Sequence, residues 1–293
     1  MDMRAIFMGL AFALMWSSAF TSARIIVEFA PPLTALALRF AVSGVIGVAL
    51  AALLGQSARL SPQQWRTVLI FGICQNALYL GMNFVAMQWI EASVAAIIAS
   101  LMPMLVALAG WFVYSERPAP LAVAGLAVGL AGVVLIMSGR LSGGADMMGI
   151  ALCIGGVVAL TVATLAVRGA ATSRDNLLMV VGLQMLVGSA VLGVVALIFE
   201  PFVVTWTWQL GAAFAYTTLV PGLLATYVWF LLVGRIGAVK AATFHFLNPF
   251  FGVAIAAVLL GESFGWRELV GIGIITLGIL AVQISRARQT PTR

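Results

Sequence analysis

Charged residues are scarce in this 293-residue chain, at 8% of the total against about 25% in soluble globular domains. Hydrophobic residues make up 63%, so too few polar side chains remain to cover a surface in contact with water. The scarcity of charge therefore excludes a soluble protein and indicates that lipid is the solvent for most of the chain.

Motifs for catalysis and energy coupling are also missing. No Walker A sequence is present, which excludes ATP hydrolysis by this chain, and no zincin, serine-hydrolase or paired-aspartate motif suits an intramembrane hydrolase. No Asp or Glu lies near the centre of an apolar run, where ion-coupled pumps usually carry a carboxylate. We therefore expect neither an enzyme nor a strongly ion-coupled pump, and no metal or cofactor.

Cysteine and net positive charge carry little functional signal here. Cys74 and Cys153 lie inside apolar runs, which favours free buried thiols over a disulfide or a metal site. The net charge is +6, but the basic residues are spread over short connections. Nucleic acid is therefore not an expected partner.

Ten apolar runs of about 20 residues or more can be delimited, each long enough to cross a hydrocarbon core of about 30 Å as a helix. The alternation expected of membrane strands is absent, which argues against a β-barrel. Breaks between runs are marked by Pro31-Pro32, Ser61-Pro62, Arg117-Pro118 and Glu200-Pro201. The runs are 4–27, 32–54, 65–87, 92–115, 119–139, 147–168, 176–199, 208–233, 237–260 and 266–285.

Lys and Arg are distributed unequally between the two sides of the membrane that these runs would define. With a cytoplasmic amino terminus, eleven of the fifteen basic residues fall inside, while Arg24, Arg140 and Arg267 fall outside and Arg39 lies within the second run. Because cytoplasmic loops are enriched in Lys and Arg, both termini are predicted to be cytoplasmic. The predicted location is the inner (plasma) membrane.

Residues 65–140 and 211–286 repeat the same pattern without a gap. Equivalent positions lie 146 residues apart. An odd number of helices per half turns the second copy upside down, and such inverted repeats are typical of secondary transporters with a midplane substrate site. The sequence predicts an all-α integral membrane fold, with ten transmembrane helices as two inverted repeats (1–140 and 147–286) around a central cavity, and a tail over 287–293. The matching pairs include Ile90 and Ile236, Pro103 and Pro249, Glu116 and Glu262, Gly125 and Gly271, Gly132 and Gly278, and Arg140 and Arg286.

Short motifs in both halves resemble the EamA family of the drug/metabolite transporter superfamily. The resemblance implies a ten-helix carrier but leaves the substrate open, and within the superfamily the chain resembles the bacterial YddG-type exporters of aromatic amino acids. The residues that carry it are Met15-Trp16-Ser17-Ser18, Arg39, Pro103, Glu116-Arg117-Pro118 with Gly125, Gly129 and Gly132, and Glu262-Ser263 with Gly271 and Gly278.

Polar and aromatic residues recur at helical spacing in the first, third, sixth, eighth and ninth runs. An α-helical period predicts Asn76, Tyr79 and Asn83 on one face of the third run, and Tyr216 and Tyr227 on one face of the eighth. Polar groups deep in lipid usually face a protein or aqueous interior, although each hydroxyl alone fits a helix–helix hydrogen bond and each aromatic alone fits a lipid contact. Their coincidence favours a substrate cavity. The candidate binding residues are Trp16, Ser17, Asn76, Tyr79, Asn83, Ser100, Thr161, Thr164, Tyr216, Tyr227, His245 and Asn248.

Three intramembrane prolines, Pro103, Pro249 and Pro221, are candidate hinges, because each frees the carbonyl four residues earlier. A packed kink is the alternative. His245, the only histidine, is more typical of a satisfied core donor than of a proton relay. Arg39 fits a structural role, reaching outward or pairing with an acid such as Glu28, better than a contact to a substrate carboxylate.

The sequence therefore predicts a monomeric exporter of small amphipathic metabolites, most consistent with aromatic or neutral amino acids, working by facilitated alternating access. Aromatic cations, other drugs and nucleosides are the alternative substrates. A channel or an intramembrane enzyme fits less well, since an inverted repeat within one chain suits a carrier. The expected partners are the small-molecule substrate and the lipid bilayer.

Overall fold

The computed structural model describes residues 3–114, 119–142, 146–166, 176–237, 241, 243–262 and 265–289, and within these ranges it contains helices and no strand. Glu116-Arg117-Pro118, Lys240, Ser263 and the last four residues of the predicted tail lie outside them. In chain order the helices are α1 (Met3–Phe29), α2 (Pro32–Leu53), α3 (Pro62–Ala86), α4 (Ala92–Ala99 and Met102–Tyr114), α5 (Pro120–Ser142), α6 (Met147–Ala166), α7 (Leu177–Phe199), α8 (Trp208–Ile236), α9 (a 3₁₀ segment Thr243–Leu247, then Asn248–Leu260) and α10 (Trp266–Gln289).

Six of these helices, α1, α2, α3, α6, α7 and α8, are long and apolar enough to cross a membrane by length and composition. Shorter apolar stretches cover Ala92–Val106, Pro120–Ile136 and Asn248–Leu260. The chain is thus a multi-pass helical membrane protein. The count of ten crossings, the inverted repeat and the cytoplasmic termini stay predictions.

Local chemistry explains several helix ends. Ser61 begins α3 with a reciprocal capping box, in which its hydroxyl accepts from the Gln64 amide at 3.2 Å and its own amide donates to the Gln64 side chain at 2.8 Å. The Thr207 hydroxyl accepts from the Leu210 amide at the start of α8. Gly261 ends α9 at φ 66°, a conformation that favours glycine.

Two glutamates from the second half of the chain cap helices of the first half. The Glu200 carboxylate, just after α7, accepts from the amides of Leu33 and Thr34 at 2.8 and 2.7 Å. Glu262, just after α9, accepts from the amides of Ala92 and Ser93 at 2.8 and 3.0 Å. Because a helix amino terminus carries free N–H groups and a partial positive charge, both carboxylates tie the two halves together.

Helices of each half of the chain pack mainly against helices of the other half. The most extensive helix pairs are α2 with α7 and α5 with α10. Helix α1 packs against α8 and α9, and α6 packs against α3 and α4. The core therefore lies between helices of different halves rather than within each half.

Glycine allows α5 and α10 to approach at backbone distance. A methyl group placed on Gly125 would lie 2.6 Å from the Gly278 carbonyl oxygen, and one on Gly132 would lie 2.9 Å from the Gly271 carbonyl oxygen. Small residues at such crossings let backbones meet where a side chain would hold them apart.

Two helices contain π-helical segments, Phe71–Leu80 in α3 and Thr218–Leu224 in α8. The residues Gln75 and Asn76 lie in the first segment, and Pro221 and Gly222, 146 positions later, lie in the second. Bonding from i to i+5 places more residues in each turn than an α-helix has. Residues three, four or seven positions apart, which would share a face of an α-helix, therefore point in different directions where a π-helical segment lies between them.

Candidate substrate site

Three aromatic side chains surround His245, which is buried with 2% of its surface exposed. Its ring centroid lies 5.1 Å from Phe12, 5.7 Å from Trp16 and 5.3 Å from Trp229, in each case in edge-to-face geometry. Phe12 also contacts both tryptophans, at 5.4 and 4.9 Å. Helices α1, α8 and α9 thus form an aromatic cluster, defined here as Phe12, Trp16, Trp229 and His245.

A short polar chain fixes the histidine ring. The Asn248 side-chain nitrogen lies 3.0 Å from His245 Nδ1, and the Ser17 hydroxyl donates to Asn248 Oδ1 at 3.2 Å. Because an amide nitrogen only donates, Nδ1 accepts, which fits a neutral imidazole with its proton on Nε2. Asn248 therefore orients the imidazole, as expected for a satisfied core histidine.

Tyr79 of α3 extends the aromatic surface. Its ring is parallel to that of Trp16, with centroids 6.3 Å apart, and it has no solvent-exposed surface. The Tyr79 hydroxyl has no hydrogen-bond partner among the described residues. An unpaired buried hydroxyl is costly, so Tyr79 Oη is suited to a polar ligand atom.

Two small cavities meet at Trp16. The Arg39 cavity has a volume of about 20 Å³ and the His245 cavity about 10 Å³, which is room for a water molecule or so in each. An aromatic amino acid would need side chains to move before it could enter. The Arg39 cavity is lined by Trp16, Ala19, Phe20, Ala23, Arg39, Tyr79, Leu80, Asn83, Phe84, Met87 and Pro221, and the His245 cavity by Phe12, Trp16, Gln75, Leu160, Thr164, Trp229 and His245.

The structure brings together about half of the candidate binding residues. Trp16, Tyr79, Asn83, Thr164 and His245 line one or both cavities, and Ser17 and Asn248 are bonded to His245 or to its partner. Of these, the Asn83 amide donates to the Tyr79 carbonyl and accepts from the Cys153 thiol. Their contact with a substrate stays a prediction.

Asn76 does not share a face with Tyr79 and Asn83, so the α-helical spacing predicted for them is wrong. The Asn76 side chain donates to the Gln184 carbonyl of α7 at 3.0 Å, because the π-helical segment turns it away. The same error affects α8, where the π-helical segment separates Tyr216 from Tyr227. Tyr216 is 40% exposed and bonds to Ser18, and Tyr227 packs half-buried against the apolar core.

Ser100 and Thr161 bond to their own helices. The Ser100 hydroxyl donates to the Ile97 carbonyl at 2.6 Å, and the Thr161 hydroxyl to the Val157 carbonyl at 2.8 Å. Neither residue lines the two cavities described above. Both hydroxyls therefore fit the intrahelical alternative better than a ligand contact.

All three candidate hinge prolines lie at irregular backbone. Pro103 follows the interruption of α4 at Ser100 and Leu101, and Pro249 follows the 3₁₀ segment of α9. Pro221 lies within the π-helical segment of α8 and lines the Arg39 cavity. Hinge motion at these sites stays a prediction.

Two other expectations need correction. Glu28 pairs with Arg24 at 3.8 Å rather than with Arg39, which lies buried against α8. Both cysteines are free, but of the two only Cys153 is fully buried, whereas Cys74 is partly exposed. Arg24 additionally donates to the Met87 carbonyl, so its charge is already satisfied.

Trp229, Phe12 and Gln75 were not among the candidates, although they line the His245 cavity. Phe12 lies four residues before Trp16, on the same helical face, which was the available signal. Trp229 follows the π-helical segment, so its phase relative to Tyr216 could not be read from an α-helical period.

A helical bundle whose core holds small cavities lined by aromatic and polar side chains, and whose helices can span a bilayer, has the features of a membrane transporter. The EamA-like transporter family model matches residues 3–138 and 147–284. The chain therefore belongs to the EamA-like transporter family, a family of transporters rather than enzymes.

Two relatives and one crystal structure are similar to this chain. An uncharacterized inner membrane transporter of Escherichia coli (strain K12), YedA, is 26% identical over 283 residues, covering 95% of this chain and 90% of that protein. An aromatic amino acid exporter of Ancylobacter novellus, YddG, is 33% identical over 113 residues, or 39% of each chain. A crystal structure with 23% identity superposes with a TM-score of 0.73 over 99% of this chain and 100% of that one, which shows the fold.

Proposed function

We propose that this protein exports neutral aromatic amino acids across the inner membrane by facilitated alternating access. The aromatic cluster is the observation that carries the proposal. Phe12, Trp16 and Trp229 present ring faces and edges around a hydrogen-bonded His245. Aromatic pairs contribute about 0.5–1.5 kcal/mol beyond the area they bury, so such a cluster favours a substrate with a ring.

Polar groups beside the cluster fit the other end of such a substrate. The Tyr79 hydroxyl has no hydrogen-bond partner among the described residues, and Asn83 and Gln75 line the same cavities. These groups would hold an ammonium or a carboxylate by hydrogen bonds. The similarity of part of the chain to the aromatic amino acid exporter of Ancylobacter novellus supports the same substrate class.

The transport mechanism rests on the proposed arrangement of ten crossings as two inverted halves with cytoplasmic termini. Helix α1 packs with α8 and α9, and α6 with α3 and α4, so the cavities lie between groups of helices drawn from both halves. If the two groups exchange conformations, the site opens to the opposite side. The small cavity volumes fit a closed intermediate of that cycle.

Coupling to a proton or sodium gradient is not part of the proposal. No Asp or Glu lies near the centre of an apolar run, and His245, the chain's one histidine, accepts a hydrogen bond from Asn248. Without a midplane carboxylate, export down the substrate's own gradient is the expected mode. A single chain carries both halves, so we propose that the monomer is the transporting unit.

Counterflow in proteoliposomes tests the proposal. Vesicles preloaded with unlabelled phenylalanine should accumulate trace labelled phenylalanine, saturably, and preloading with aspartate or lysine should not drive uptake. Trp229→Ala should raise the half-saturation concentration by about tenfold or more. The binding free energy lost with one ring contact and its buried area exceeds about 1.4 kcal/mol. Trp206→Ala, on a side chain that is 82% exposed, is the matched control and should change nothing.

A folded wild-type protein that shows no counterflow with any neutral amino acid would overturn the proposal. Aromatic cations, other drugs and nucleosides would then be tested in the same vesicles. Uptake that does not saturate would instead indicate a channel.

A further inference from the structure

Arg39 is a buried cation without a counter-ion in the described part of the chain. It lies in α2 and only 3% of its surface is exposed. Its Nε donates to the Thr217 carbonyl at 3.1 Å, while Nη1 has no hydrogen-bond partner among the described residues. Burying a charged group is costly unless it is paired. The guanidinium carbon lies 4.8 Å from the Phe40 ring centroid, but this cation–π contact leaves Nη1 without a hydrogen-bond partner, so an anion would complete the pairing.

The backbone of α8 fixes the direction of the guanidinium. Pro221 supplies no N–H to the backbone ladder of α8, and the Thr217 carbonyl in the turn before it is the acceptor for Arg39. Ser43, one turn after Arg39, donates both to the Arg39 carbonyl and to the Thr218 carbonyl. A methyl group on Gly222 would lie 3.3 Å from Arg39 Nη2, so glycine leaves room for the side chain.

The hydrogen bond from Arg39 to the irregular backbone of α8 does not by itself account for an arginine at this position. One donor satisfies the Thr217 carbonyl, whereas a guanidinium carries five N–H groups in a planar fork. Arg24, an arginine near the predicted outer end of α1, already has Glu28 and the Met87 carbonyl as partners. Arg39 instead lines a cavity with Trp16, Tyr79 and Asn83, which supply aromatic surface and further polar atoms.

We propose that Arg39 binds the carboxylate of the substrate in the Arg39 cavity, with the stacked Trp16 and Tyr79 rings against its apolar part. The inference deepens the proposed function, on which it rests, by requiring a carboxylate on the transported molecule. A guanidinium fork matches a carboxylate by paired hydrogen bonds. Met87, a flexible side chain at the cavity wall, gives way as the ligand enters.

The test measures selectivity for a carboxylate rather than activity alone. In proteoliposomes, phenylalanine, phenylalaninamide and 3-phenylpropanoate compete with labelled phenylalanine, and the readout is the ratio of half-inhibitory concentrations of amide to acid. The wild type should prefer phenylalanine to its amide by about 10- to 100-fold, the value expected for hydrogen bonds to a charged group.

Arg39→Gln should reduce this ratio to about 1, and Arg39→Lys, which keeps the charge but not the fork, should leave an intermediate ratio. Arg24→Gln removes an arginine that lies outside the cavity and already has partners, and should leave the ratio unchanged. Since a ratio compares two ligands on one folded sample, partial loss of folded protein does not alter it.

Two outcomes separate this inference from the proposed function. Saturable phenylalanine transport with an amide-to-acid ratio near 1 in the wild type, or with a ratio that both Arg39 variants preserve, overturns the role of Arg39 and leaves the exporter intact. Direct uptake of labelled 3-phenylpropanoate that Arg39→Gln abolishes, in vesicles that show no phenylalanine transport, supports the carboxylate site and overturns the amino-acid exporter.

Discussion

Gly278→Ala should destabilise the protein, although alanine is the better helix former. A methyl group at this position would lie 2.4 Å from the Gly129 amide nitrogen and 2.6 Å from the Gly125 carbonyl oxygen. Both neighbours are backbone atoms of α5, which cannot move aside as a side chain can. To restore contacts of 3.4 Å the two helices must separate by about 1 Å along their closest approach.

That separation loosens the packing of α5 against α10 on both sides of the contact. Overpacking of this kind costs about 1–3 kcal/mol, whereas the higher helix propensity of alanine returns up to about 1 kcal/mol. We therefore expect a net loss of up to about 2 kcal/mol. Gly273→Ala, on the same helix with nothing within 4 Å of the added methyl group, should be neutral or slightly stabilising.

The assay is unfolding of the purified protein in mild detergent, by heat and by titration with a denaturing detergent, for the wild type and both variants. The sign of the effect should differ between the two alanines. Equal midpoints for Gly278→Ala and Gly273→Ala would refute the close backbone crossing, because helix propensity alone treats the two positions alike.

Two further predictions concern the capping glutamates and the topology. Glu262→Gln should lower the free energy of unfolding by about 1–2 kcal/mol, since a neutral amide interacts less with the amino terminus of α4. Glu28→Gln, in an exposed i,i+4 pair, should change it by no more than about 0.5 kcal/mol, and equal losses would contradict the capping role. Alkaline phosphatase fused after Gln289 should be inactive and green fluorescent protein fused there should fluoresce; the reverse pattern would place the carboxyl terminus outside.

Hydropathy and charge were sufficient to predict a helical membrane protein, because a chain with 8% charged residues has few other ways to bury its backbone. The breaks at Pro31-Pro32, Ser61-Pro62 and Glu200-Pro201 also match helix boundaries of the structure. The capping roles of Glu200 and Glu262 could not be predicted, since each depends on a helix of the other half.

The site was predicted less completely, and the π-helical segments explain why. Trp16, Tyr79, Asn83 and His245 line the cavities, whereas the α-helical period misplaced Asn76. A π-helical segment cannot be predicted from a residue pattern. The sequence did show that Pro221 and Gly222 of one repeat correspond to Gln75 and Asn76 of the other, and both pairs lie in such segments. Arg39 was assigned a structural role because the lack of a counter-ion among the described residues becomes visible only in three dimensions.

The glycine contacts between α5 and α10 have an evolutionary consequence. Gly125 meets Gly278 and Gly132 meets Gly271, and since Gly271 and Gly278 lie 146 positions after Gly125 and Gly132, each contact pairs the same two positions of the sequence repeat. An interface in which residue i meets j and j meets i is isologous, the kind that closes a homodimer. A half-length ancestor would already have carried both sides of this contact. Two half-length chains would therefore form this crossing between them as one chain does now.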